Sequence, residues 1–229
     1  TVNAGTLRIS DNTVGNPASF TANQVTLGGG TLTATSNVSF VGGNVGFAVT
    51  GTTGGLGVEA GATLTISNDI SGSGTLTKFG PGTLALVGPN TFSGTLNLDS
   101  FINTGSDGAV LVTTSNALAS VASPIYSRNN NGGTSILQLS GGVGIAQNFI
   151  TSCRNSGVAW VQNLAGNNTL HGLIQVEVGG GTLPFQSDAG LLTIANNLQY
   201  IGTSTNGRTY QFGGAGNTPN ITLDSSAGG

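Results

Sequence analysis

The chain has 229 residues, of which 6% are charged and 37% hydrophobic, with 40 glycines and a formal net charge of -3. Regularly spaced Val, Ile, Leu and Phe exclude a disordered chain, which would be poor in apolar residues and rich in charge. The acidic balance and scattered cations argue against a nucleic-acid partner, and apolar runs of only a few residues supply no transmembrane helix.

From the N-terminus, short phrases of alternating apolar and small polar residues follow one another: Gly5-Thr6-Leu7-Arg8-Ile9, Gly30-Thr31-Leu32-Thr33 and Ala62-Thr63-Leu64-Thr65-Ile66. Near copies of Gly-Thr-Leu-x-Leu then start at Gly74, Gly82 and Gly94. Further phrases are Ser135-Ile136-Leu137-Gln138-Leu139, Gly181-Thr182-Leu183, Leu191-Leu192-Thr193-Ile194 and Asn220-Ile221-Thr222-Leu223. Alternation with a period of two, bounded by glycine, reads as a half-buried strand. The turns between are rich in Gly and Asn, as at residues 28–30, 129–133 and 213–217, where both residue types accept positive φ cheaply. No window keeps a helical period, so the chain is predicted to be all-β. Residues 101–133 are the least repetitive and are expected to carry a long loop or an irregular rung.

Two longer echoes point to one repeat class. Residues 64–70 (LTISNDI) match 192–198 (LTIANNL), and residues 90–98 (NTFSGTLNL) match 168–176 (NTLHGLIQV). A strand this short cannot bury its own apolar face, so a series of them must stack. The spacings, about 8 to 30 residues, suit a stacked coil better than a propeller with its fixed period of roughly 40 to 50. The expected fold is a right-handed parallel β-helix, one solenoid over residues 1–229, with a β-sandwich as the alternative. At roughly 20 residues and 4.8 Å per coil it would have about ten or eleven coils and be about 50 Å long. Leu76, Leu84, Leu86, Leu96 and Leu98 are assigned to the core. Leu7, Ile221 and Leu223, in strand phrases near the two ends, are assigned to assembly.

The stretch from Gly72 to Ser100 resembles the autotransporter-associated β-strand repeat, also called the passenger-associated transport repeat. The matching residues are Gly74-Thr75-Leu76-Thr77-Lys78, Gly80-Pro81-Gly82-Thr83-Leu84 with Leu86, and Gly88-Pro89-Asn90-Thr91-Phe92-Ser93-Gly94. Thr1-Val2-Asn3-Ala4-Gly5-Thr6-Leu7 looks like the closing phrase of another repeat, which implies residues ahead of Thr1 in a longer precursor. The resemblance implies a secreted or cell-surface bacterial protein with a right-handed parallel β-helix, used as the stalk of a large passenger. No C-terminal membrane barrel is recognised in the chain, so self-export is not implied. The family offers no catalytic residues to carry over.

The residues themselves give little chemistry. The eight carboxylates, Asp11, Glu59, Asp69, Asp99, Asp107, Glu177, Asp188 and Asp224, are scattered singly, whereas glycoside hydrolysis needs two at a set separation and a lyase needs a base beside a cation. His171 aligns with Ser93 in the second echo and reads as an exposed turn; no metal or other cofactor is expected. Cys153 is the single cysteine, has no intrachain disulfide partner and reads as a small buried side chain. Thr-x-Thr pairs at Thr31/Thr33, Thr33/Thr35, Thr63/Thr65 and Thr75/Thr77 are too irregular for an ice-binding array and reflect β-propensity. Sequons at Asn37, Asn167 and Asn220 are those expected by chance. Trp160, Tyr126, Tyr200 and Tyr210 are assigned to packing before sugar stacking. The expected function is a non-enzymatic extracellular structural protein, a stalk or a fibre subunit, whose partner is itself as head-to-tail copies or flanking repeats. An adhesin or carbohydrate-binding module that contacts glycans or cell surfaces is the alternative, and a polysaccharide lyase or glycosidase stands behind it.

Overall fold

The computed structural model describes residues 1–15, 17–98, 108–128, 135–152, 158–177, 182–202, 209–214 and 221–223. The chain returns again and again to the same three faces. The first coil holds β1 (Thr6–Ile9) and β2 (Thr21–Leu27), and the second β3 (Thr31–Ala34), β4 (Val38–Phe40) and β5 (Val45–Val49). The third holds β6 (Thr53–Val58), β7 (Thr63–Ile66) and β8 (Ile70–Gly72). The fourth and fifth have two strands each, β9 (Thr75–Phe79) with β10 (Thr83–Leu86), and β11 (Thr95–Asn97) with β12 (Ala109–Val112). The sixth holds β13 (Ala122–Arg128), β14 (Ile136–Ser140) and β15 (Gly144–Ile145), and the seventh β16 (Phe149–Ser152), β17 (Val161–Ala165) and β18 (Asn168–Leu170). The eighth holds β19 (Ile174–Val176), β20 (Thr182–Ser187) and β21 (Leu192–Ile194), and the ninth β22 (Leu198–Tyr200), β23 (Thr209–Gly213) and β24 (Ile221–Leu223).

One face is the nine-stranded sheet β1-β3-β6-β9-β11-β13-β16-β19-β22, and the next is the eight-stranded sheet β4-β7-β10-β12-β14-β17-β20-β23. The third face is split into β2-β5-β8 below and β15-β18-β21-β24 above. Every ladder among the described residues is parallel, which makes this a parallel β-solenoid and removes the sandwich alternative, whose hairpin-connected strands pair antiparallel.

Because each strand pairs in register with the one below, like residues stack. Leu64, Leu84, Val110, Leu137, Val161 and Phe185 form one inward column across the eight-stranded face, and all are buried. Leu7, Leu32 and Leu56 begin another on the nine-stranded face, where Lys78 is next in register. Lys78 is buried nonetheless; its stem fills the column and its ammonium donates to the carbonyls of Phe79 at 3.0 Å and Gly80 at 2.7 Å at the corner.

Corners decide how closely coils approach. Gly51, Gly74 and Gly94 follow one another up the edge that leads into the nine-stranded face, and a Cβ on each would overlap the carbonyl oxygen of the glycine one coil below, Gly28, Gly51 and Gly74 respectively. Asparagine supplies the complementary device. The Asn37 amide oxygen accepts from the Thr63 N–H at 2.9 Å, that of Asn148 from Leu173 at 2.9 Å and that of Asn167 from Leu191 at 3.1 Å, each one coil up. These side chains give backbone groups at the turns the partners that the strand ladders no longer provide.

Several expectations change in detail. Among the described residues the nine-stranded sheet marks nine levels, not ten or eleven, because residues paired between neighbouring coils lie 20 to 29 positions apart and the coils are longer than assumed. The Gly74 and Gly94 phrases are successive levels of one face, with Leu76 opposite Leu96, but the Gly82 phrase lies on the next face of the Gly74 coil, with Thr83 opposite Thr63. The second echo is in phase, third face followed by nine-stranded face in both copies. The first is out of phase: Leu64–Ile66 lies on the eight-stranded face and Leu192–Ile194 on the third. Within residues 101–133, those at 101–107 and 129–133 lie outside the described residues, while β12 between them pairs in full register on both sides.

Candidate functional site

The polar groups of the described surface hold coils together. Asp11 accepts from the Thr13 N–H at 2.9 Å and from its hydroxyl, and these bonds, the hydroxyl's first, hold its carboxyl below the usual range. Glu59 pairs with Arg8, and Asp69 accepts from the N–H of Thr91 at 2.6 Å and its hydroxyl at 2.8 Å. Asp188 receives the amides of Gln162 and Gln186, both at 2.6 Å, and Gln138 donates to Gln162 at 3.0 Å to continue that ladder. Glu177 lies 3.6 Å from Arg128, whose guanidinium covers the Tyr126 ring at 5.0 Å. Each of these five carboxylates is thus engaged by its own neighbours. Asp99, Asp107 and Asp224 lie outside the described residues, as does Cys153.

Among the described residues no group of three or more His, Cys, Asp and Glu is placed to hold a metal ion. His171 is exposed at a corner, its N–H bonded to the Ile145 carbonyl at 2.8 Å, in the place Ser93 takes three coils below. Thr31 and Thr33 stand opposite Gly55 and Gly57, so the threonine pairs do not continue as a flat array from that level. Trp160 is buried, edge-on to Phe149 at 5.6 Å and to Phe185 at 5.4 Å, while Tyr200 and Tyr210 pack partly buried against the core.

The assigned core leucines, Leu76, Leu84, Leu86, Leu96 and Leu98, are each at most 2% exposed. The assigned assembly residues lie where the columns open. Leu7 is 41% exposed although Leu32, directly above it, is fully buried. At the other end Leu223 is 56% and Ile201 40% exposed, and Leu198, Tyr200, Tyr210, Phe212 and Ile221 are only partly covered. Ile201 was missed in the sequence because it follows directly on β22, out of step with the period-two alternation of Leu198 and Tyr200. Among the described residues both end coils also present strand edges that pair on one side only, β1 with β3 below and β22, β23 and β24 above.

These features define a low-charge parallel β-solenoid in which polar side chains serve cohesion between coils and the apolar columns are open at both ends. Over 181 residues, 78% of its length, the chain is 30% identical to the adhesin BmaC autotransporter of Brucella suis biovar 1 (strain 1330). It spans 4% of that protein's length. No family model matches, so the repeat family read from residues 72–100 is not itself identified, and no solved structure matches. Among the described residues no helix is long and apolar enough to cross a membrane.

Proposed function

We propose that this chain is a length of the shaft of an extracellular, adhesin-like protein, non-enzymatic, with further coils of the same polypeptide stacked on both of its ends. The observation that carries the reading is the opening of the core columns at Leu7 below and at Ile201 and Leu223 above, all at least 40% exposed. Unpaired strand edges beside apolar side chains are a template for another strand, and in a solenoid the element that covers them is the next repeat. Similarity to a much longer autotransporter adhesin supports placement on the cell surface or outside it. Low charge density suits this role, since little like-charge repulsion opposes stacking.

The isolated 229-residue chain, examined by light scattering and electron microscopy, tests the reading. With its neighbouring coils missing it should associate through its ends. Leu7→Lys or Leu223→Lys should suppress that association, whereas Ser120→Lys, at an exposed mid-chain turn, should not. Regular unbranched filaments would assign it instead as a self-assembling fibre subunit. A stable monomer whose end coils are as protected from hydrogen exchange as β7 and β17 would overturn both.

A further inference from the structure

The third face is interrupted where the fourth and fifth coils cross it. Its lower sheet ends at β8 and its upper sheet begins at β15, and no ladder joins them. The cause is local. Pro89 has no N–H to offer a strand, and residues Ser115–Ala117 form a 3-10 turn whose bonds close on themselves, Ala117 N–H to Thr114 at 3.1 Å and Val121 N–H to Leu118 at 3.0 Å.

Scattered bonds span the gap in place of a ladder: Phe92 N–H to the Ile70 carbonyl at 2.8 Å, Ser93 N–H to Gly72 at 2.9 Å and Asn90 N–H to Asn116 at 3.2 Å, with side chains beside them. The Asn90 amide oxygen accepts from the Ile70 N–H at 2.9 Å, and its amide nitrogen donates to the Ala117 carbonyl at 2.9 Å, so one buried side chain ties the coil below to the coil above. One coil higher, the Ser115 hydroxyl accepts from Gly144 N–H at 2.8 Å and the Gln147 amide donates to Ala119 at 3.1 Å.

The nine-stranded face is weakened at the same level. β11 pairs with β13 at Thr95 with Ala122 and Asn97 with Tyr126, with a register shift between the two pairs, and the buried Asn97 amide oxygen has no hydrogen-bond partner. The eight- and nine-stranded faces both run through this level, the eight-stranded one in full register, β12 pairing over four residues with both β10 and β14. The aromatic contacts among described residues fall on either side, Phe40 with Phe47 below, and Phe149, Trp160, Phe185 and Phe212 above.

In a stack where each coil touches only its neighbours, cooperativity is limited by the weakest interface. We propose that this seam is a conformational break built into the fold: the lower and upper blocks open as separate cooperative units, hinged on the eight-stranded face and coupled by Asn90. The inference rests on the topology and does not depend on the shaft reading.

Trp160, the single tryptophan, is buried in the upper block and reports on that block alone, whereas far-ultraviolet circular dichroism reports on both. Denaturant titration of the 229-residue chain should give non-coincident transitions by the two probes. Asn90→Ala should move them further apart, and amides of residues 88–97 and 115–122 should exchange at least about tenfold faster than those of β7 and β17. Separation of the transitions in either protein supports the break. Coincidence in both overturns it, and the wild-type measurement stands even where the variant fails to fold.

Discussion

Gly94→Ala isolates what the glycine of the repeated phrase does. Its backbone needs no special φ, so the substitution carries no left-handed penalty; the added Cβ would instead lie well inside 3.0 Å of the Gly74 carbonyl oxygen, with the Ser73 and Gly74 carbonyl carbons also within that distance. The corner can accept it only by moving away from the coil below. Two bonds flank the site, Ser93 N–H to the Gly72 carbonyl and Ala122 N–H to the Gly94 carbonyl, both 2.9 Å. Losing both at about 1 kcal/mol each and adding about 1–3 kcal/mol of overpacking puts the cost at about 3–5 kcal/mol, a large part of the stability of an ordinary domain. Gly213→Ala, where a Cβ meets nothing within 4 Å, is the matched control and should be near neutral. Urea titration followed by circular dichroism measures both. If Gly94→Ala stays within about 0.5 kcal/mol of wild type, the range of an innocuous surface change, coil spacing is not set by these glycines.

Three further outcomes are expected. Leu84→Asp places a carboxylate in a fully buried column between Leu64 and Val110 and should cost several kcal/mol by order of magnitude; a wild-type melting temperature would overturn the register there. Asn168→Ala removes the acceptor of the buried Val143 N–H at 2.6 Å and of the exposed Gly142 N–H at 3.0 Å, and should cost about 2–4 kcal/mol, about 1–3 for the stranded buried group and about 1 for the other bond, read from the Trp160 fluorescence transition. Asp11 should titrate below its ordinary value of 3.8 because Thr13 bonds the ionised form, and Thr13→Ala should return it towards that value. Since the folded-state pKa is depressed, its small contribution is complete above the unfolded value and lost as pH falls through the folded one, which carboxyl NMR across that acid range would follow.

The leucine alternation of residues 74–98, the glycines before it and the absence of a helical period were enough for an all-β stacked fold, because a period of two and a turn residue are local properties that survive any tertiary arrangement. The open columns were partly legible for the same reason: Leu7 and Leu223 sit in strand phrases of the same alternation as the buried leucines. What the sequence could not show was phase. Gly74-Thr75-Leu76 and Gly82-Thr83-Leu84 look alike yet occupy different faces of one coil, since any corner followed by a half-buried strand makes the same local demand. Only the stacking distinguishes them. The same holds for Asn90, whose partners Ile70 and Ala117 lie 20 and 27 positions away and belong to different coils. Local pattern therefore determined that strands form and which side of each is apolar. Tertiary structure alone decided which residues meet across coils, where the third face breaks, and that polar side chains are spent on cohesion, because those depend on loop lengths that change from coil to coil and carry no periodic signal.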